Sequence, residues 1–360
     1  MSFPEAGQEL PSTVYWAARL EDAVSLRVNR LLRRRGWEPR VLTYTGYGSQ
    51  QWARVLARVL LAPPGVRTRD VAGARGWRRF VAATAPGVAV TVEVGDRRHE
   101  VVSGRGGYVD AVLDASLEPG WTEVSLTAEG SSRPPQTAPV RVVGDGPGIG
   151  LVSDIDDTVV ITALPRPLVA FWNTFLRHET SRRPVPGMAE LYRAFLESDP
   201  ATFVVYLSTG AWNVAPSLRD FLARHRYPRG PLLLTDWGPT TQGMFRSGTA
   251  HKHDQLRRLF AELPQLRWFL VGDDGQHDPQ VYGEAAHADP DRVEAVAIRQ
   301  LSPAEHVLTH GTVEPPTVRQ ARVHRMGALH TPDVEHLEAP DGHGLLDQLR
   351  SRRLIRSRTG

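Results

Sequence analysis

The chain contains no cysteine. That excludes disulfide frameworks, thiolate metal sites and cysteine nucleophiles, and it makes a cytoplasmic setting the default expectation. Lysine is nearly missing as well: of 43 basic residues, 42 are arginine and one is Lys252. No apolar run approaches the roughly 20 residues that a bilayer-spanning helix needs. The first residues, MSFPEAGQELPST, carry neither a basic n-region nor an apolar h-region, so no signal peptide is expected. The net charge of +3 is small. It is compatible with anionic partners, and no motif accompanies the arginines to support nucleic-acid binding.

What is present suffices for two cores, since 41% of the 360 residues are hydrophobic. Residues 12–36 read as an amphipathic helix. Ser12 or Thr13 caps it, Leu20, Val24, Val28 and Leu31 form its apolar stripe, and Gly36 stops it. Arg27, Arg30, Arg33, Arg34 and Arg35 make its other side basic. Docking on its own protein is the favoured reading, and a membrane-surface helix is the alternative. Residues 41–144 carry short alternating strands around 53–59, 88–92, 109–113, 121–128 and 140–143, separated by Gly, Pro and Ser. They read as a small all-β sandwich without site chemistry.

The run Gly144-Asp145-Gly146-Pro147-Gly148 marks a domain boundary. Over 149–305 apolar strands at 150–153, 203–207, 232–234, 268–271 and 293–298 alternate with helical stretches at 188–196, 215–225 and 252–260. That pattern predicts an α/β fold with a doubly wound parallel sheet. Residues 306–360 form a C-terminal extension of weaker pattern. It ends in a basic tail from Leu349 to Arg358, read as a frayed terminus or as a contact for anionic lipid.

Four groups fall where ligands of such sheets bind, beyond the carboxyl ends of strands. Asp154-Ile155-Asp156-Asp157-Thr158 follows the first strand. Three carboxylates this close repel unless a cation lies among them, and Mg²⁺ suits an all-oxygen site. An acidic turn or a structural Ca²⁺ loop is the blander reading. Ser208 ends the next strand, where a hydroxyl and backbone N–H groups can hold a phosphoryl oxygen. Lys252 opens a helix, with an ammonium able to neutralise nucleophile and phosphoryl group together. A zinc site from His251 and His253 is disfavoured, because a spacing of two on a helix points the imidazoles apart. Asp273 follows a fourth strand in Gly272-Asp273-Asp274-Gly275-Gln276-His277-Asp278, placed opposite Asp154, with Asp278 able to position Asp273.

The order Asp-x-Asp-x-Thr, strand-Ser, Lys, Gly-Asp-x-x-x-x-Asp resembles the four motifs of the haloacid dehalogenase superfamily. The runs Tyr206 to Asn213, Thr235 to Gly238, His251-Lys252, Gly272 to Pro279 and Tyr44-Thr45-Gly46-Tyr47-Gly48 resemble the phosphatidate phosphatase catalytic-domain family related to the yeast actin-patch phosphatase. The resemblance covers roughly residues 15–305. Two departures are Ser208-Thr209-Gly210, where a Ser-Asn/Ser-Ser-Pro run is usual, and Asp274, where Ser is commoner. The resemblance implies a Mg²⁺-dependent phosphatase. Asp154 would be the nucleophile, Asp156 the acid–base, and Ser208 and Lys252 the phosphoryl clamp. Asp154, Asp273 and the Asp156 carbonyl would be the metal ligands, with Thr158 supporting the loop. The apolar stretch 164–176 suits a cover for a lipid phosphate such as phosphatidate, and equally an ordinary packed helix. A soluble phosphomonoester as substrate, or a non-catalytic scaffold, are the competing readings.

Overall fold

The computed structural model describes residues 27–65, 83–161, 183–235, 248–310 and 331–355. Helix α1 covers 27–34. Gly36 takes φ +78, letting the Trp37 N–H reach back to the Leu32 carbonyl at 3.1 Å and close the helix. Leu20 and Val24 lie outside the described residues.

Nine strands follow: β1 Glu38–Thr43, β2 Gly46–Ser49, β3 Trp52–Ala62, β4 Ala83–Thr84, β5 Ala89–Val94, β6 Arg97–Val102, β7 Tyr108–Asp114, β8 Gly120–Ala128 and β9 Gln136–Val143. Hydrogen bonding joins them into one sheet in the order β1-β3-β2-β9-β8-β5-β6, with β4 and β7 also on β3. The eleven-residue β3 does the joining. It pairs with β1 and β2 along one edge and with β7 and β4 along the other. The sheet curls around its own apolar cluster, which includes Val55, Val59, Val90, Val92, Leu126 and Val140. The sequence pattern suggested a sandwich. One curled sheet is what the strand pairing gives, and β1, β2 and β6 lacked the apolar alternation that would have announced them.

The second sheet is parallel throughout: β10 Gly148–Ser153, β11 Phe203–Ala211, β12 Leu232–Thr235, β13 Leu266–Asp273, β14 Val293–Arg299 and β15 Glu335–Ala339. Its order is β12-β11-β10-β13-β14-β15. Strands buried on both faces read as continuous apolar runs, which is why β10, β11 and β13 were legible. The order reverses between β10 and β13, where an open α/β sheet leaves a crevice at its carboxyl edge. The helices are α2 Met188–Ser198, α3 Ala215–Arg224, α4 Gly248–Glu262, α5 Asp278–Ala288, α6 Pro303–His310 and α7 Gly342–Ser351. Helix α2 packs on α7, and α4 on α5.

Three positions differ from expectation. Lys252 lies in the second turn of α4, since the helix begins at Gly248. The sheet gains β15, parallel to β14, beyond the expected domain end at 305. The basic tail is partly built in: Leu349 and Ile355 are buried, and Arg352 pairs with Glu335 at 2.5 Å. Residues 356–360 lie outside the described set.

The two sheets share an apolar cluster. Tyr44, Tyr47, Leu56 and Val143 of the first pack into the core of the second. Tyr44 lies 4.6 Å from Trp212, ring to ring, and Tyr47 lies 5.7 Å from Phe203. Beside them Arg54, 2% exposed, donates to both oxygens of Asp110 at 2.6 Å and to the Tyr47 hydroxyl at 2.6 Å. That hydroxyl in turn donates to Glu262 on α4 at 2.6 Å. Because Arg54 and Tyr47 are buried, another docking geometry would strand the Arg54 guanidinium.

Candidate active site

Asp154 follows directly on β10, and its backbone N–H donates to the Val271 carbonyl at 2.9 Å, tying the loop to β13. The chain then turns sharply. Asp157 adopts φ +57, a left-handed conformation that aspartate tolerates better than most residues. Its N–H closes onto the Val160 carbonyl at 2.8 Å. Ser153 donates its hydroxyl to the Asp154 carbonyl at 2.6 Å and lies 2.6 Å from the buried Tyr192 hydroxyl. Asp154, Asp156, Asp157 and Thr158 are all buried.

The other expected residues converge here. Ser208 donates to Asp156 Oδ2 at 3.3 Å and accepts from the Gly210 N–H at 3.0 Å. Strand β11 runs past Ser208 to Ala211, and its pairing with β12 shifts register between Leu207 and Ala211. Ser208-Thr209-Gly210 is that irregularity. Lys252 donates to Asp154 Oδ1 at 2.5 Å and to Asp278 Oδ1. Thr158 Oγ1 donates to Asp273 Oδ2 at 3.4 Å, and the Gly275 N–H to Asp273 Oδ1 at 2.7 Å. Asp278 Oδ2 accepts from the Asp273 backbone N–H at 3.4 Å. A Cβ on Gly272 would sit 2.6 Å from Asp278 Oδ2, so glycine is required for this close approach.

Asp154, Asp273 and Asp278 bring carboxylate oxygens within 4.8 Å of one another. Asp278 is thus the third carboxylate of the cluster. The Asp156 side chain, expected as the acid–base group, accepts from Ser208 in the same buried site. Asp154 Oδ2 is buried without a hydrogen-bond partner. An orphaned carboxylate oxygen inside a buried, all-oxygen cluster fits a hard divalent cation. The electrostatics agree. Burial first, and then the charge of Asp278, push the Asp154 and Asp273 carboxyls well above the usual range, while Lys252 pulls the other way. Burial disfavours the Lys252 ammonium, but Asp154 and Asp278 outweigh it and raise its pKa.

Arg299 went unnoticed in a chain full of arginine. Buried at the end of β14, it donates to the Asp157 carbonyl at 2.7 Å, to Pro340 at 3.2 Å and to Glu305 at 2.5 Å. It clamps the left-handed residue of the Asp154–Thr158 loop, and the visible signal was its place at the end of an apolar strand. Asp274 ties down the neighbouring segment, accepting from the Leu301 N–H at 2.8 Å and lying 3.3 Å from His306. His253 turns to Glu284 at 3.0 Å, away from any partnership with His251. The stretch 164–176 and the Asp236-Trp237-Gly238 run lie outside the described residues.

Residues 149–300 match the family described as phosphatidate phosphatase APP1, catalytic domain. Phosphatidate phosphatase APP1 of Saccharomyces cerevisiae is 25% identical over 156 residues, 43% of this chain and 26% of that protein. An uncharacterized protein of Schizosaccharomyces pombe is 26% identical over 158 residues, 44% of this chain and 26% of its own length. The chain thus spans about a quarter of the curated relatives it matches. Among solved structures, one described as PhoD aligns at TM-score 0.33 and 10% identity over 83% of this chain and 70% of that one, too loosely to carry an argument. The matched stretch, less than half of the chain, is the one that carries Asp154, Asp156, Ser208, Lys252, Asp273 and Asp278, and in it the chain is similar to the phosphatidate phosphatase APP1 catalytic domain.

Proposed function

We propose that the chain is a Mg²⁺-dependent phosphomonoester hydrolase working through an aspartyl-phosphate, with phosphatidate as substrate and diacylglycerol and phosphate as products. The observation that carries this reading is the buried meeting of Asp154, Asp156, Ser208, Lys252, Asp273 and Asp278 at the carboxyl edge of β10, β11 and β13. The strand-order reversal and the two helix pairs support a doubly wound sheet like that of the haloacid dehalogenase superfamily.

Asp154 attacks phosphorus in line. The new Asp154–phosphorus bond forms as the bond to the lipid oxygen breaks. Asp156 gives its proton to the departing oxygen. It then takes a proton from the water that attacks the aspartyl-phosphate, restoring Asp154 and releasing phosphate. A positioned acid–base group contributes about 10²–10⁴-fold. The bond from Ser208 fixes the Asp156 carboxyl within the site. Lys252 neutralises charge on the nucleophile and on the transferring group. Asp154, Asp273, Asp278 and the Asp156 carbonyl would hold Mg²⁺, which when bound supplies Lewis-acid stabilisation of the phosphoryl oxygens. Arg299 keeps the loop in its left-handed turn.

The family match supports a phosphorylated lipid as the substrate class. Phosphate release from phosphatidate in mixed micelles, from a nucleotide and from an aryl phosphate, each with and without Mg²⁺, tests it. Release from phosphatidate that needs Mg²⁺ and vanishes in Asp154→Asn is expected. Release from the soluble esters alone would assign a soluble phosphomonoester instead.

A further inference from the structure

Helix α1 does not dock by the face that its sequence favours. It is held to the β domain by Asn29, whose side chain donates to the Thr84 carbonyl at 2.8 Å, and by Leu32 and Trp37, which pack against the β-domain core. Val28 and Leu31, the apolar stripe, point outward and are 43% and 50% exposed. Arg27, Arg34 and Arg35 are exposed around them, with Arg30 at the edge of the same face. At 100° per residue, Leu31 sits in the middle of the solvent arc with Arg27 and Arg34 on one side and Arg35 and Val28 on the other.

We infer that this face docks on the surface of an anionic lipid bilayer. Arg27, Arg34 and Arg35 crowd positive charge onto the same solvent arc as Leu31, with Arg30 at its edge. Two of the few large apolar side chains exposed among the described residues stand within the same cluster. A leucine ringed by arginines matches a bilayer interface, where the apolar side chain enters the headgroup region and the guanidinium groups meet lipid phosphates. A nucleic acid would use the charge and leave Leu31 and Val28 in water. The inference is independent of the catalytic reading, because the helix contributes nothing to the site around Asp154.

Co-sedimentation of the full chain with vesicles of phosphatidylcholine, with or without a minority of phosphatidylserine, tests it. Neither lipid is a phosphomonoester, so active-site binding does not contribute and a failure here leaves the phosphatase reading intact. Binding to the phosphatidylserine vesicles alone is expected, and it should fall steeply with salt as the Debye length shortens. Each arginine near an anionic surface is worth roughly a five-fold change in partitioning. Arg30→Gln with Arg34→Gln should therefore weaken binding about 30-fold, and Leu31→Ser several-fold. Arg97→Gln with Arg98→Gln, exposed on β6, should change nothing. Thermal unfolding of each variant confirms that the fold is kept. Equal binding by wild type and both helix variants would overturn the inference. So would retention on RNA without retention on vesicles.

Discussion

Replacing Lys252 by methionine keeps most of the side-chain volume and removes the charge. Asp154 and Asp278, whose side chains are 2% and 0% exposed, both accept from its ammonium. Without it they face each other and Asp273 with the ammonium gone. Removing one partner of a buried ion pair costs about 3–5 kcal/mol, a large part of a total stability of roughly 5–15 kcal/mol. For an α/β domain of roughly 200 residues that is about 6–20 °C in Tm. The assay is thermal unfolding in the presence of a chelator, so that no divalent cation substitutes for the ammonium. A second variant, Lys252→Met with Asp278→Asn, removes one of the stranded carboxylates. It should recover at least about 1 kcal/mol relative to the single variant, the sign of coupling expected for direct neighbours. A single variant within about 1 kcal/mol of wild type would refute the reasoning. Strictly additive losses in the double variant would do the same.

Four further outcomes follow from the same geometry. Asp156→Asn should lower kcat about 10²–10⁴-fold with an unchanged fold, read by phosphate release and thermal unfolding together. Between the ordinary carboxylate value and their raised folded values, the Asp154 and Asp273 carboxyls bind more protons in the native state than in the unfolded state. Stability without cation should therefore fall as pH rises above about 4, and the Tm gained on adding Mg²⁺ should grow with pH; a gain independent of pH would count against the cluster. Arg299→Gln should lower kcat by up to about 100-fold through a displaced loop while KM moves little, and Arg299→Lys should restore part of it. Tyr44→Ala removes the ring beside Trp212, which immediately follows the Ser208 irregularity, and should lower kcat where Tyr44→Phe leaves it near wild type.

The candidate site residues were legible because they sit at the ends of buried parallel strands. An apolar run that stops at Ser153-Asp154, Leu207-Ser208 or Gly272-Asp273 announces both the strand and the edge at which ligands bind. Lys252 was conspicuous as the chain's only lysine. What escaped was long-range pairing. Nothing local marks Glu335–Ala339 as the strand beside β14, since its burial comes from α7 and the sheet together. Asp278 was expected as a support for Asp273 and does accept its N–H. Its second contact, with Lys252, depends on how α5 packs on α4. Arg299 was hidden by composition, being one of 42 arginines. The α1 stripe misled for a physical reason: an apolar stripe names the face that leaves water, and it does not say whether protein or lipid receives it.

Rapid acid quench of the protein mixed with phosphatidate labelled in its phosphate tests the central claim most directly. The account predicts a Mg²⁺-dependent label on the protein, carried by the peptide containing Asp154 and released by hydroxylamine as an acyl phosphate is. Asp154→Asn should carry no label and release no phosphate. An Asp154→Asn protein that turns over within about tenfold of wild type, a difference of only about 1.4 kcal/mol in barrier, would contradict it.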